Sequence, residues 1–206
     1  MPRDGSATRS KIMDAAEALI LKQGFSATAI DAIIAEAGIT KGTFFYHFDT
    51  KAALAQALVE RFADYDLGYL EQNMRRAENL SRDPLQQMLI FIGLFIEGAE
   101  SLSEPYPGCL FASFIYESGL FEDSTLGVIT GAYTAWRERL GGKLREIVEL
   151  HPPAEEVDLD SLAEMLTVVF EGAFIVSKTQ REPEVVAEQL IHYRRYIELL
   201  FAGAKV

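Results

Sequence analysis

The chain has 206 residues, 49% of them apolar, enough to bury a core larger than one average domain requires. Its single cysteine, Cys109, excludes an intrachain disulfide framework and fits a reducing compartment, and its net charge of -12 excludes a uniformly basic nucleic-acid binder. The acidic excess is uneven: residues 1–52 hold six Lys/Arg (Arg3, Arg9, Lys11, Lys22, Lys41, Lys51) against six acids, and the remainder holds 13 against 25. The N-terminal part can therefore face a polyanion while the acidic body is held away from it.

The first residues mix Arg3, Asp4, Arg9 and Lys11 with small side chains, which does not fit a signal or transit peptide. The longest uncharged apolar run, residues 85–96, contains Gln86 and Gln87 and ends before Glu97, short of the roughly 18 residues a membrane span needs. A cytoplasmic protein with no membrane partner is expected.

Apolar residues recur at helical spacing almost throughout and no stretch alternates with period two, so the expected fold class is all-α. The first helix starts near Thr8 or Ser10, carries Ile12, Ala16, Leu19 and Ile20 on one face, and ends at Gly24 with Phe25 closing over the core. The second starts at Thr28, read as a cap with Asp31 three residues on in a capping-box arrangement, and buries Ile30, Ile33, Ile34 and Ala37. Gly38 supplies a turn at positive φ, and Thr40 opens a short third helix. A fourth begins at Thr50 or Lys51 and runs toward Leu80. Beyond the break at 81–84 the pattern gives helices over about 85–100, 111–118, 124–150, 161–178, opened by Ser161 with Glu164 as a second capping box, and from Pro183 to Phe201. A DNA-reading domain over residues 1–52 and a ligand-binding and dimerisation domain over 53–206 are expected, joined by the fourth helix.

Two short helices joined by Gly38 and Ile39 have the size and turn of a helix-turn-helix, whose second helix lies in the major groove. In the third helix Phe44 and Phe48 fall inward at i and i+4, leaving Gly42, Thr43, Phe45 and Tyr46 mainly outward. Gly42 permits close backbone approach, Thr43 can bond a base edge or touch a thymine methyl, and Tyr46 and His47 can donate to phosphate oxygens. Lys51 adds charge at the next helix N-terminus, where backbone amides already favour an anion.

The run Thr28-Ala-Ile-Asp-Ala-Ile-Ile-Ala-Glu-Ala-Gly-Ile-Thr-Lys-Gly-Thr-Phe-Phe-Tyr-His-Phe48, followed by Lys51 and Leu54, resembles the signature of the TetR family of regulators. The likeness covers roughly residues 10–60; beyond them it is one of helical layout. It implies a homodimer that binds a palindromic double-stranded DNA operator and releases it when a small-molecule effector enters the C-terminal domain, with motion carried by the fourth helix and no cofactor. Carried over position by position, Thr28, Thr40, Lys41, Gly42, Thr43, Phe45, Tyr46, His47 and Lys51 stand where the family meets DNA. Phe45 replaces a tyrosine common there, so a phenol bond to phosphate is lost, and Ala29 stands where a hydroxyl residue is common.

An effector cavity is expected among Phe91, Phe95, Cys109, Phe111, Phe114, Tyr133, Trp136, Phe170 and Phe174, although core packing alone accounts for any one of these side chains. Cys109 lies in a Pro/Gly turn with Glu104 the nearest charge in sequence, so nothing local favours a thiolate. The expected dimer interface pairs Leu162, Leu166 and Val169 on one helix with Leu190, Tyr193, Ile197 and Phe201 on the next, in a four-helix arrangement. The rival reading, an enzyme, has little to stand on: His47, His151 and His192 are scattered, and no nucleophile elbow, phosphate-binding glycine loop or Cys-x-x-Cys is present. A dimeric ligand carrier without a DNA role is the other alternative.

Overall fold

The computed structural model describes residues 5–201; Arg3 and Asp4, counted in the charge balance above, lie outside them. Among the described residues the regular structure is helical and contains no strand. The helices are α1 (Gly5–Gln23), α2 (Ile30–Ala37), α3 (Lys41–His47), α4 (Lys51–Leu80), α5 (Pro84–Glu100), α6 (Leu110–Ile115), α7 (Asp123–Leu150), α8 (Leu159–Gln180) and α9 (Glu184–Phe201), with a 3-10 turn at Ser118–Leu120 between α6 and α7. No helix among the described residues is long and apolar enough to cross a membrane.

Two compact units emerge. The first takes the chain through Asp64 together with Gly108–Thr130; the second takes Tyr65–Pro107 and everything from Gly131 onward. This differs from a single cut at residue 52, and the reason is physical. The α6 region packs its rings on the α1–α2 turn and on α4: Phe114 and Phe121 close on Phe25, at ring separations of 5.6 and 4.7 Å, and Phe111 meets Phe62 at 4.7 Å.

In the first unit α1 packs on α2 and α6, and α2 on α3. Its buried side chains include Ile12, Ala16, Ile20, Ile33, Ala37, Phe44, Leu54 and Leu58. Arg61 on α4 bridges to Asp14 and Glu17 on α1, both at 2.7 Å, which ties the first helix to the fourth. Among the described residues α1 begins at Gly5, earlier than Thr8, because nothing between them breaks the helical backbone.

Thr28 is not the cap of α2. Ala29 holds that position without a side-chain bond, and Thr28 is fully buried with its hydroxyl donating to the Gly24 carbonyl at 2.7 Å. The turn after Gly24 places Thr28 one residue too early to reach an α2 amide, and its hydroxyl satisfies the end of α1 instead. Gly38 closes α2 with φ 59° and ψ 44°, the left-handed conformation that returns the Gly38 and Ile39 amides to α2 carbonyls.

The second unit has one core in which α9 packs on α5 and α8. Leu85, Met88, Phe91, Ile92, Leu140, Leu144, Leu162, Leu166, Leu190 and Ile197 lie inside it. Asp158 caps α8, accepting from the Asp160 and Ser161 amides, so Ser161 sits in the first turn and the Ser161–Glu164 capping box does not form. Asp83 caps α5 directly before Pro84 and also meets His151 at 2.7 Å.

The same packing occupies the residues expected at the dimer face. Leu162, Leu166, Leu190, Tyr193, Ile197 and Phe201 are buried inside this unit, and Val169 packs against its core. Tyr193 donates to the Leu162 carbonyl at 3.1 Å, and burial pushes its phenol pKa up. Periodicity identified one apolar stripe on each helix correctly but could not tell the inward stripe from a second one. The exposed stripes are Met165, Val168, Ile175 and Val176 on α8, and Ile191, Tyr196 and Leu199 on α9.

Candidate nucleic-acid interface

The third helix is built to stand away from its own unit. Thr40 caps it, its hydroxyl oxygen accepting from the Thr43 amide at 3.2 Å and meeting the Thr43 hydroxyl at 2.8 Å. Phe44 and Phe48 are buried and anchor one side, their rings 6.1 Å apart. The helical period then turns Lys41, Gly42, Phe45 and Tyr46 to solvent, with Tyr46 83% exposed. An exposed aromatic of that size on a seven-residue helix makes no contribution to the core. His47 is half-buried, with Tyr46 against its ring edge.

Two residues expected at the interface are committed elsewhere. Thr28 is inaccessible, as described. Lys51 is half-buried; its ammonium donates to the Phe25 carbonyl and lies 3.9 Å from the centre of the Phe25 ring. Desolvation lowers its pKa, opposed in part by the negative charge of Glu117. Thr40, Lys41, Gly42, Thr43, Phe45, Tyr46 and His47 remain together on or at the start of α3.

Sequence reasoning missed three charged side chains that hold the reader's turns and the end of α3. The Arg9 guanidinium lies over the Phe48 ring, 4.9 Å from its centre, and so connects α1 to the end of α3. The Lys11 ammonium stands beside the Gly38 turn, 3.7 Å from where a Cβ on that glycine would be. Glu117 bonds to the backbone of Phe25 and Ser26. Charge at Arg9 and Lys11 was visible in the sequence, but nothing local in residues 108–130 signals that Glu117 belongs with α1.

The residues expected to line an effector cavity divide between the units. Cys109, Phe111 and Phe114 belong to the first; Cys109 is half-buried at the start of α6, and the two phenylalanines are buried among its aromatic rings. The other six belong to the second. There Phe95 is the centre of a ring cluster, 5.0 Å from Phe91, 5.9 Å from Trp136, 5.3 Å from Phe170 and 5.2 Å from Tyr69. Phe174 continues it to Tyr106 at 4.7 Å.

Two carboxylates absent from the expectation accompany these rings. Asp66 accepts from the Trp136 indole N–H at 2.6 Å, and Glu171 from the Tyr133 hydroxyl at 3.3 Å. Burial, reinforced by the like charge of Glu171 and opposed by the indole bond, raises the Asp66 pKa to about 6. The rings and the Asp66 carboxylate thus lie together in the second unit.

Residues 12–58 match the family described as bacterial regulatory proteins, tetR family. Over 88% of its length the chain is 26% identical to the transcriptional regulator AcuR of Cereibacter sphaeroides, covering 81% of that protein. It is 25% identical to the HTH-type transcriptional repressor DhaR of a Mycobacterium species, covering 85% of each chain. Among solved structures, a regulatory protein TetR from Rhodobacter sphaeroides superposes with a TM-score of 0.74 at 24% identity, over 91% of this chain and 97% of that one, a likeness of fold.

Proposed function

We propose that this chain, which belongs to the TetR family and is a transcriptional regulator with a DNA-binding helix-turn-helix, is a repressor that binds a palindromic operator as a homodimer and leaves it when a small molecule binds. The observation that carries this reading is α3: a capped helix fixed by buried Phe44 and Phe48, with Lys41, Gly42, Phe45 and Tyr46 facing outward and Thr43 half-buried beside them. A lysine for phosphate, a glycine for close approach and hydroxyls for base edges or phosphate suit a major groove. Repression is supported by DhaR, a relative named as a repressor.

A second copy is the partner for the apolar stripes on α8 and α9. Val168, Ile175, Tyr196 and Leu199 leave large apolar side chains in solvent on two helices that pack together. A two-fold dimer would space its recognition helices about one DNA turn, roughly 34 to 36 Å, apart. For the effector, the ring cluster around Phe95, Trp136 and Phe170 with Asp66 is the favoured region. The effector acts only by binding the DNA-incompetent form more tightly than the competent one.

The deciding experiment is fluorescence anisotropy of full-length protein on a labelled duplex from the intergenic DNA beside its own gene, against random DNA, at two salt concentrations. Selective, salt-sensitive binding by a dimer is the expected result. Equal affinity for both duplexes, repeated on ligand-stripped protein with a randomised library, would replace this reading with that of a ligand carrier.

A further inference from the structure

The turn between α1 and α2 is held by a residue 92 positions further along the chain. The Phe25 amide donates to Glu117 Oε1 at 2.7 Å and the Ser26 amide to Oε2 at 3.0 Å, while the Ser26 hydroxyl also bonds Oε2. One carboxylate therefore takes three donors from two consecutive residues. On the other side, Lys51 holds the Phe25 carbonyl. Both polar groups of the Phe25 backbone are thus bound by ionised side chains, the stronger kind of hydrogen bond.

The local backbone is shaped to admit this carboxylate. Gly24 has φ +85°, and a Cβ there would stand 2.9 Å from Glu117 Oε1. Only glycine both adopts that conformation readily and leaves the oxygen room. The Phe25 ring packs against Phe114 and Phe121, which flank Glu117 in sequence, so apolar and charged contacts fix the same point. From this turn α2 departs, and α2 carries α3 across the Gly38 turn.

We propose that Glu117 is a positioning residue for DNA recognition: it fixes the α1–α2 turn and with it the orientation of α2 and α3, so that residues 108–130 control the affinity of a reader lying within residues 12–58. The inference rests on the DNA-binding reading given above. Glu117 touches no DNA in this role, and its sign is diagnostic. Were it only a negative charge near a polyanion, removing it would tighten binding; as an anchor, removing it weakens binding.

The test uses full-length wild type, E117A, E117Q and the charge control E122Q, an exposed acid of the same segment. DNA affinity is measured on the intergenic duplex across a salt series, and backbone hydrogen exchange is followed by mass spectrometry. Expected are an affinity loss of at least ten-fold for E117A and about three-fold for E117Q, which keeps one acceptor but not the charge. E122Q should bind as wild type or slightly tighter, and the salt slope should be the same for all four. Exchange should quicken at Phe25 and Ser26 in both Glu117 variants while α4 stays protected; if E117A loses protection throughout, E117Q alone decides. Wild-type affinity or tighter binding in the folded variants, or unchanged exchange at Phe25 and Ser26, overturns the anchoring role. A wild type that binds no DNA selectively overturns the DNA-binding reading and, with it, the role assigned to Glu117; selective binding that both variants retain overturns the anchor alone.

Discussion

The polar side chains around the α1–α2 turn and those along α7 from Tyr133 to Arg145 bond in opposite ways. At the turn, side chains reach for backbone: Thr28 for the Gly24 carbonyl, Lys51 for the Phe25 carbonyl, Glu117 for the Phe25 and Ser26 amides. Along α7, they reach for one another. Lys143 is almost fully buried and meets Gln87, Glu78 and Glu146, Arg139 joins Glu71 to Glu78, and Trp136 binds Asp66. Side chain to backbone bonds fix the geometry of turns, and a DNA reader depends on turn geometry. Bonds between side chains satisfy a core while leaving partners that a bound ligand can exchange.

The contrast is tested most severely where the second unit is purely apolar. Leu190→Ala removes a fully buried side chain from the face of α9 that packs on α5 and α8. It should cost about 2 to 5 kcal/mol, read as a lowered denaturation midpoint. Val168→Asp, at a residue 68% exposed, should change the stability of the isolated subunit far less but dissociate the proposed dimer in sedimentation velocity. A monomeric Leu190→Ala protein of normal stability, or a Val168→Asp protein that remains dimeric, would return the interface to the inward stripe.

The next effect is electrostatic. Asp66 has a pKa raised to about 6, above its ordinary value of 3.8, so the native state holds a proton that the unfolded chain releases between those values. Stability from this site is therefore greatest in acid and falls as pH rises from about 4 through 6. Asp66→Asn keeps an acceptor for the Trp136 indole while removing the charge. It should raise stability at pH 7 by about 1 to 2 kcal/mol, discounted for partial solvent access, and flatten the pH dependence over that range. No gain at pH 7 together with an unchanged slope would remove Asp66 as a polar group of unusual acidity in the ring cluster.

Helical spacing, glycine turns and caps carried most of the fold in the sequence, because these signals are local. Gly38 at positive φ and Thr40 as the cap of α3 were both readable for that reason. Thr28 misled because a threonine before an apolar run looks the same whether it caps the helix ahead or bonds the one behind. The inward and outward stripes of α8 and α9 are both apolar, so composition could not rank them. Glu117 was illegible for a different reason: its partners, Phe25 and Ser26, are brought to it only by the tertiary fold. Asp66 escaped for the same reason, since nothing in its neighbourhood on α4 announces Trp136.

The smallest effect separates two lysines that the sequence treated alike. Lys41 is exposed on α3, whereas Lys51 is engaged by the Phe25 carbonyl and ring. Lys41→Ala should weaken binding to operator and random DNA alike and lower the slope of log affinity against log salt by about one, as expected when one phosphate contact and its released counterion are lost. Lys51→Ala should leave that slope unchanged. Its loss appears instead as about 1 kcal/mol of stability and faster amide exchange around Phe25, because a cation over a ring and a bond to a carbonyl are removed together. A reduced slope in the Lys51 variant would mean that its ammonium leaves Phe25 for phosphate when DNA arrives. The reader would then reorganise on binding, and the turn that Lys51 and Glu117 hold in the free protein would be the part that moves.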